Sequence, residues 1–347
     1  MKIFFTLLGS FAIVATLLPF IKLDHWWIRI FDYPRNQILF IALVPLAYFI
    51  YVYKNIWFDN TIIAALVLCC LYQMYIILPY TTIFKKEVEN VTKPDEKESF
   101  SLVVANVLMD NQNIKGFLKI VENCNPDILL AVETNEWWKK QLEVLEEKYP
   151  HQVYYPLENT YGMILFSKMP LDSAEVRFLV EDDIPSIFAQ FKLPNGKLVD
   201  LHCIHPTPPV PSENPRSTER DAELLMVGKE AKKSNNPVVV MGDLNDVAWS
   251  YTTRLFQRTS GLLDPRVGRG LYNTFNAKYQ LLRWPLDHVF HSNHFKVVDL
   301  QRLPFFESDH FPMFIKLQYD HNGPIEQEEP EAEPEEKEEA NEKIQKV

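Results

Sequence analysis

Asp243 and Asn245 stand one residue apart at the end of the run VVVMGDLND (Val238–Asp246). From a strand tip they would project to the same side, a carboxylate beside a carboxamide. Hard oxygen donors of this kind suit Mg²⁺, a phosphate, or a water being deprotonated. The β-branched run ahead of them predicts a buried strand, and Gly242 lets the backbone turn at its end. Gly, Asp and Asn also build ordinary turns, so the pair gains meaning only from other polar groups placed in the same way.

Five such places exist. Asn106 closes LVVAN, and Glu133 closes DILLAVE, where nothing in the apolar run accounts for a charge except a ligand. His205 ends LVDLHCIH, with His202 three residues earlier inside the strand. Asp287 and His288 open an apolar strand after Trp284, and Asp309 and His310 stand in ESDHFPMF just before the last one. Open α/β sheets place ligands outside one set of strand ends, and these ends supply Asn, Glu, His, Asp-x-Asn, Asp and Asp-His in that order. This order, with PDILLAVET, GDLND, LDHVF and SDHFP, resembles the endonuclease/exonuclease/phosphatase superfamily from about Ser101 to Tyr319.

The resemblance implies an α/β fold, a DNase I-like two-layer β-sandwich flanked by helices, with its site at one mouth. It implies Mg²⁺, with Mn²⁺ as the alternative, held by Glu133 with Asn106 beside it and Asp309 contributing. Asp243 and Asn245 would orient or activate the attacking water, His205 and His310 would contact the scissile phosphate, and Asp287 would orient His310. Which group is the base stays open. Two positions depart from the nuclease pattern: Leu108, where an acidic residue is common, and Met163, where Asn is common. Arg216 and Arg220, at the start of the helix after the Pro-rich loop His205–Pro215, are candidates for a substrate phosphate. Trp284, with Tyr272 and Phe275, could stack on a base or cover a lipid or sugar. The substrate is a phosphodiester of nucleic acid or of a lipid headgroup, with an inositol phosphate as a further alternative. A tethered binding module without turnover is the reading from another class.

The elements that must position these groups alternate. Strands are expected at Ser101–Val107, Pro126–Val132, Gly162–Ser167, Ile187–Lys192, Lys197–His202, Val238–Met241, Leu286–His291 and Met313–Leu317. Helices are expected at Ile114–Asn123, Trp137–Lys148, Ser217–Lys233 and Thr252–Ser260. Lys85–Ser99, polar and containing Pro94, reads as a linker (residues 84–99) ahead of a catalytic domain over 100–319.

Residues 1–83 differ in kind. Ile3–Phe20, Ile38–Tyr53 and Thr61–Leu78 are uncharged apolar stretches at or near membrane-spanning length, with Trp26, Trp27, Tyr51, Tyr53, Trp57 and Tyr80 at their ends. They predict three transmembrane helices and a multi-pass protein of a bacterial plasma membrane. The short basic start favours a catalytic domain outside the cytoplasm, and the loop after Phe20 is expected at headgroup level. The formal net charge is −11, of which Asp320–Val347 carries −8. The body is thus only mildly acidic, without the basic footprint of a tight duplex binder. The tail over 320–347 has little apolar content and is expected to be disordered, so its deletion should leave melting unchanged. Cys69, Cys70, Cys124 and Cys203 show no metal or disulfide spacing, and no protein partner is indicated.

Overall fold

A computed structural model describes all 347 residues. The N-terminal part is helical: α1 (Lys2–Leu17), α2 (Trp26–Arg29), α3 (Arg35–Tyr51) and α4 (Trp57–Ile77). Counted with the short turns that extend them, the first and last of these are long and apolar enough to cross a membrane, over Lys2–Phe20 and Trp57–Tyr80. α3, at 17 residues, is shorter and contains Pro45.

The remaining chain lays two sheets face to face. β1 (Ser99–Asn106), α5 (Ile114–Cys124), β2 (Ile128–Val132), α6 (Glu136–Leu142), β3 (His151–Tyr155) and β4 (Met163–Ser167) come first. β5 (Leu171–Arg177), β6 (Ser186–Lys192), β7 (Leu198–Cys203), α7 (Thr218–Lys233), β8 (Val238–Asp243), α8 (Tyr251–Ser260) and β9 (Asp287–His291) follow. β10 (Phe295–Arg302), β11 (Met313–Tyr319), α9 (Gly323–Glu326) and α10 (Pro334–Ile344) complete it. One sheet has the order β10-β11-β1-β2-β4-β3 and the other β5-β6-β7-β8-β9. Only β1/β2 and β7/β8 pair in parallel. Their inner faces, including Val104, Leu130, Leu201, Val239 and Met241, interdigitate as one apolar core. α5 and α6 cover the outer face of the first sheet, where Phe117 and Trp138 meet Val103 and Ala131. α7 and α8 cover the second, where Leu224 and Phe256 meet Val240 and Phe290. Gly242 lies within β8 rather than beyond it: a Cβ there would fall 1.8 Å from the Ile204 carbonyl oxygen, so only glycine allows this approach.

Two expectations about the connecting segments are corrected. The segment read as a linker over 84–99 is welded to the domain. Val88 is fully buried in the inter-sheet core, Val91 donates to the Val297 carbonyl at 2.9 Å, and the Glu87 carboxylate accepts from the Asp264 amide at 2.7 Å. The loop after Phe20 does not fold independently but docks on the catalytic domain. Trp26 donates to the Pro215 carbonyl at 3.0 Å, and Ser217 donates to that of Asp24 at 2.8 Å. The acidic tail folds as well. α10 begins with a capping box between Glu333 and Glu336 and buries Ala340 against Leu225 and Leu255. Lys343, nearly enclosed, lies 2.8 Å from Asp221, and Arg258 pairs with Glu336 at 2.6 Å. The tail's few apolar atoms concealed this because its partners are charged groups of both signs contributed by distant segments of the chain.

Exposed ion pairs contribute little, but breaking an enclosed one is costly. Deleting Pro334–Val347 should therefore destabilise the domain by about 2–4 kcal/mol, lowering the melting temperature by roughly 5–10 °C. Scanning calorimetry checks this; an unchanged transition would mean that α10 rests on the surface without stabilising it.

Candidate active site

The two parallel pairs run in the same sense toward one mouth, so the ends of β1, β2, β7 and β8 converge there, and the strands antiparallel to them begin there. Asn106 is the last residue of β1 and Glu133 follows β2. His205 follows β7, Asp243 ends β8, and its register partner Asp287 opens β9. Asp309 and His310 precede β11. Backbone strain gathers at the same place: Leu108, Glu133 and Asn245 take the left-handed conformation, with φ of 58°, 61° and 49°. Non-glycine residues held this way signal a constraint imposed by their surroundings.

Hydrogen bonds join the groups into one network. The Asn106 amide nitrogen donates to Glu133 Oε1 at 2.6 Å and to Asp243 Oδ2 at 3.0 Å. Its side-chain carbonyl oxygen accepts from the Leu108 amide, so Asn106 is a strut between two carboxylates. His310 lies with Nδ1 2.7 Å from Asp287 Oδ2 and Nε2 3.5 Å from Asp243 Oδ2. His205 Nε2 is 4.0 Å from Asp243 Oδ2. Asn245 donates its backbone amide to Asp243 Oδ1 and its side-chain amide to the Pro206 carbonyl, which fixes the loop after β8.

Burial sets the charges apart. It pushes the Glu133 carboxyl up to about 7, against the opposing Asn106 hydrogen bond and the His310 charge. Asp243 is likewise raised by burial, with Asp287 adding to the effect. For His310, burial favours the neutral ring, but Asp287 and Asp243 override it and lift the imidazole to about 10, so it is a cation and a donor at neutral pH. His205 is depressed by burial to about 4 and stays neutral. Two imidazoles held on opposite sides of neutrality can serve one as donor and one as acceptor.

The residues fit a hard divalent cation. Glu133 presents carboxylate oxygens at the mouth, Asp309 Oδ1 is buried without a hydrogen-bond partner, and Asp309 also helps raise Glu133. Oxygen donors with excess negative charge are the ligand set of Mg²⁺ and Mn²⁺. Asp243, Asp287 and His310 also lie close enough to be a metal triad, with ligand atoms within 4.8 Å. Because His310 is an imidazolium held by Asp287, we read that triad as a hydrogen-bonded relay, which leaves the cation to Glu133 and Asp309.

The substrate-binding candidates separate. Arg220 is buried, hydrogen-bonded to Asp221 and to the Asn245 carbonyl at 2.7 Å, so it braces the catalytic loop and cannot reach a substrate. Arg216 is exposed on the surface, where its backbone bridges His25. Trp284 packs edge-on against Tyr33 and beside Phe275, filling space behind the site instead of facing a ligand. Phe275 lies against His310, with ring centroids 4.9 Å apart, and Tyr161 covers His205 at 5.3 Å. Residue types along the sequence did not single out Tyr161. Nor did they reveal Tyr33, whose hydroxyl donates to the Asn245 carbonyl at 2.8 Å from the far N-terminal part of the chain.

With this geometry in view, comparison with known proteins places the chain. Residues 103–310 match the Endonuclease/Exonuclease/phosphatase family, and the chain belongs to it. Its fold is similar to TDP2 from D. rerio carrying 14 humanising mutations, with TM-score 0.53 and 14% identity over 64% of this chain and 99% of that one. It is also similar to the catalytic domain of human Nocturnin with bound sulfate, with TM-score 0.51 and 16% identity over 65% and 97%. An endonuclease/exonuclease/phosphatase from Beutenbergia cavernae gives 0.52 and 16% over 64% and 72%. Among curated proteins, none matches this chain significantly. The two-sheet sandwich flanked by helices is thus the DNase I-like architecture that the sequence implied.

A cation held by Glu133 would bind its ionised form, and because burial raises that carboxyl to about 7, protons would compete below about pH 7. Mn²⁺ affinity should then weaken by up to roughly tenfold per pH unit below 7, with a proton released on binding. Calorimetric titration at pH 5.5 and 7.5 measures this, and Glu133→Gln should remove most of the pH dependence. Equal affinity at both pH values would place the cation elsewhere.

Proposed function

We propose that this chain is a membrane-anchored, divalent-metal-dependent phosphodiesterase. The observation that carries the reading is the joined network at the strand ends, in which Asn106 ties Glu133 to Asp243 and His310 is held between Asp243 and Asp287. A bound Mg²⁺ or Mn²⁺ would offset phosphate charge and stabilise the charge that develops at phosphorus. Asp243, its carboxyl raised by burial and its position fixed by the Asn245 amide, orients the attacking water and accepts its proton. His310 donates Nε2–H to a phosphate oxygen while Asp287 holds Nδ1–H, and neutral His205 stands on the other side of Asp243 to contact the same group. As the water oxygen bonds to phosphorus and the leaving oxygen departs, the fixed donors need little reorganisation.

The membrane context favours a substrate that lies in the bilayer plane, a phospholipid or a lipid-linked headgroup. The apolar N-terminal helices end against the catalytic domain: Tyr80 donates to the Ala248 carbonyl at 2.9 Å and Trp249 Nε1 to that of Asp32 at 2.8 Å. We take α1, α3 and α4 as three spans, α3 reaching only about 26 Å at 1.5 Å per residue. They set the N-terminus and the catalytic domain on opposite sides of a bacterial plasma membrane, with the domain outside the cytoplasm. Nuclease activity should be weak and salt-sensitive.

Purified full-length protein should hydrolyse bis(p-nitrophenyl) phosphate with Mg²⁺ and stop on EDTA. Glu133→Ala, Asp243→Asn and His310→Ala should each cost at least ~10²-fold in kcat/KM. Unchanged rates in two of the three would show that the roles are misassigned. Protease added to intact spheroplasts should digest the catalytic domain; protection until lysis would put it in the cytoplasm.

A further inference from the structure

A loop between Asn276 and Trp284 carries side chains for which the fold has no use. Tyr279, Leu281 and Leu282 are 61%, 84% and 49% exposed, and Lys278 and Arg283 flank them. The loop is tied at both ends: Ala277 donates its amide to the Asp309 carbonyl, and the Asn276 amide donates to that of Leu282. Its tip is not. The amides of Gln280 and Leu281 find no acceptor within the protein.

Two guanidiniums stand beside this tip. Arg283 lies over the Phe311 ring at 5.0 Å and Arg302 at 4.4 Å, flanking the residue that follows His310. Their hydrogen bonds go only to the carbonyls of Asn276, Ala277 and Asn273, never to a carboxylate. In a chain of net charge −11, a close pair of arginines with no acidic partner is a site for an external anion. Phe305, 47% exposed, extends the apolar surface beyond Phe311.

The position of the loop indicates which anion. Gln37, in the first turn of α3, donates its side-chain amide to the Leu281 carbonyl at 2.6 Å. The exposed leucines therefore sit at the end of the apolar helices that faces the catalytic domain, level with the start of α3. Bare leucines and a tyrosine beside arginines that have stacked stems and free charge form the arrangement that inserts between lipids and meets their phosphates.

We infer that Tyr279, Leu281 and Leu282, with Arg283 and Arg302, form an edge of the active-site mouth that docks on an anionic lipid surface. This rests on the membrane-anchored reading above and adds to it that the bilayer itself is a partner of the mouth. Docking here brings headgroup phosphates beside Phe311, next to His310, so that a phosphodiester in the bilayer plane reaches the site without leaving the membrane.

The test uses the full chain in nanodiscs of phosphatidylcholine, alone or with about 30% phosphatidylglycerol. Hydrogen exchange of the peptide spanning 277–283 should slow at least ~5-fold when the anionic lipid is present. Leu281→Asp with Leu282→Asp should abolish protection in both lipids, and Arg283→Gln with Arg302→Gln should make the two lipids equivalent. Equal exchange in the two lipids for the unmodified protein, or a lipid difference that survives the arginine substitutions, overturns the inference. Hydrolysis of bis(p-nitrophenyl) phosphate is measured on the same samples. The double leucine variant should stay within ~2-fold of the unmodified protein, since soluble diester needs no lipid surface. A large loss there would make the loop part of the site's framework and count against docking. If no sample hydrolyses the soluble diester, the phosphodiesterase reading fails, while the exchange contrast still decides the docking.

Discussion

Four carboxylates, Glu133, Asp243, Asp287 and Asp309, share one mouth with a single imidazolium, His310. Asp243, Asp287 and His310 are almost completely buried. Like charges at such distances in a poorly solvated site cannot all ionise without a counter-charge. The fold answers in part, by placing His310 between Asp243 and Asp287 and by giving Glu133 the Asn106 amide. It leaves a deficit of positive charge that a divalent cation would offset. Burial first, and the neighbouring carboxylates second, raise the Glu133 and Asp243 carboxyls, while Asp287 and Asp243 raise the His310 imidazole against its burial.

Holding such an arrangement requires a stiff frame. β1/β2 and β7/β8, the two parallel pairs, supply it by ending together, and the pairing of Asp243 with Asp287 fixes the distance across the second sheet. Outside the sheets, the loop after β8 is braced from three directions. Arg220 and Tyr33 both donate to the Asn245 carbonyl, and His288 Nε2 lies 2.8 Å from that of Asp246. Arg220 in turn leans on Asp221, which receives Lys343 from α10. The N-terminal helices and the C-terminal tail thus meet the catalytic loop through buried polar contacts, which explains why neither behaves as an appendage.

Much of this was readable along the chain, and what was hidden shares a cause. β1, β2, β4, β6, β7, β8, β9 and β11 are largely buried on both faces, and each centres on a short apolar run that is visible along the chain. β3, β5 and β10 do not. They are three of the four outer strands and more exposed than the rest, so their polar residues interrupt any apolar run; the fourth, β9, is fully buried and was legible. The site residues stood out because a charge at the end of a buried run has no structural excuse, as Glu133 illustrates after ILLAV. Arg220 misled for the converse reason: an arginine at a helix start looks free for a ligand until its buried partners, Asp221 and the Asn245 carbonyl, are seen. The order in α10 rests on long-range ion pairs with Arg258 and Asp221, for which no local signal exists.

The chemistry of the mouth depends on where a cation sits. Crystals of the full-length protein soaked in Mn²⁺ and measured at the manganese edge would show it directly. The charge distribution predicts one anomalous peak within about 2.2 Å of a Glu133 oxygen, with Asp309 as its neighbour and His310 outside the coordination sphere. A peak bonded to His310 between Asp243 and Asp287, or none at the mouth at saturating Mn²⁺, would contradict it.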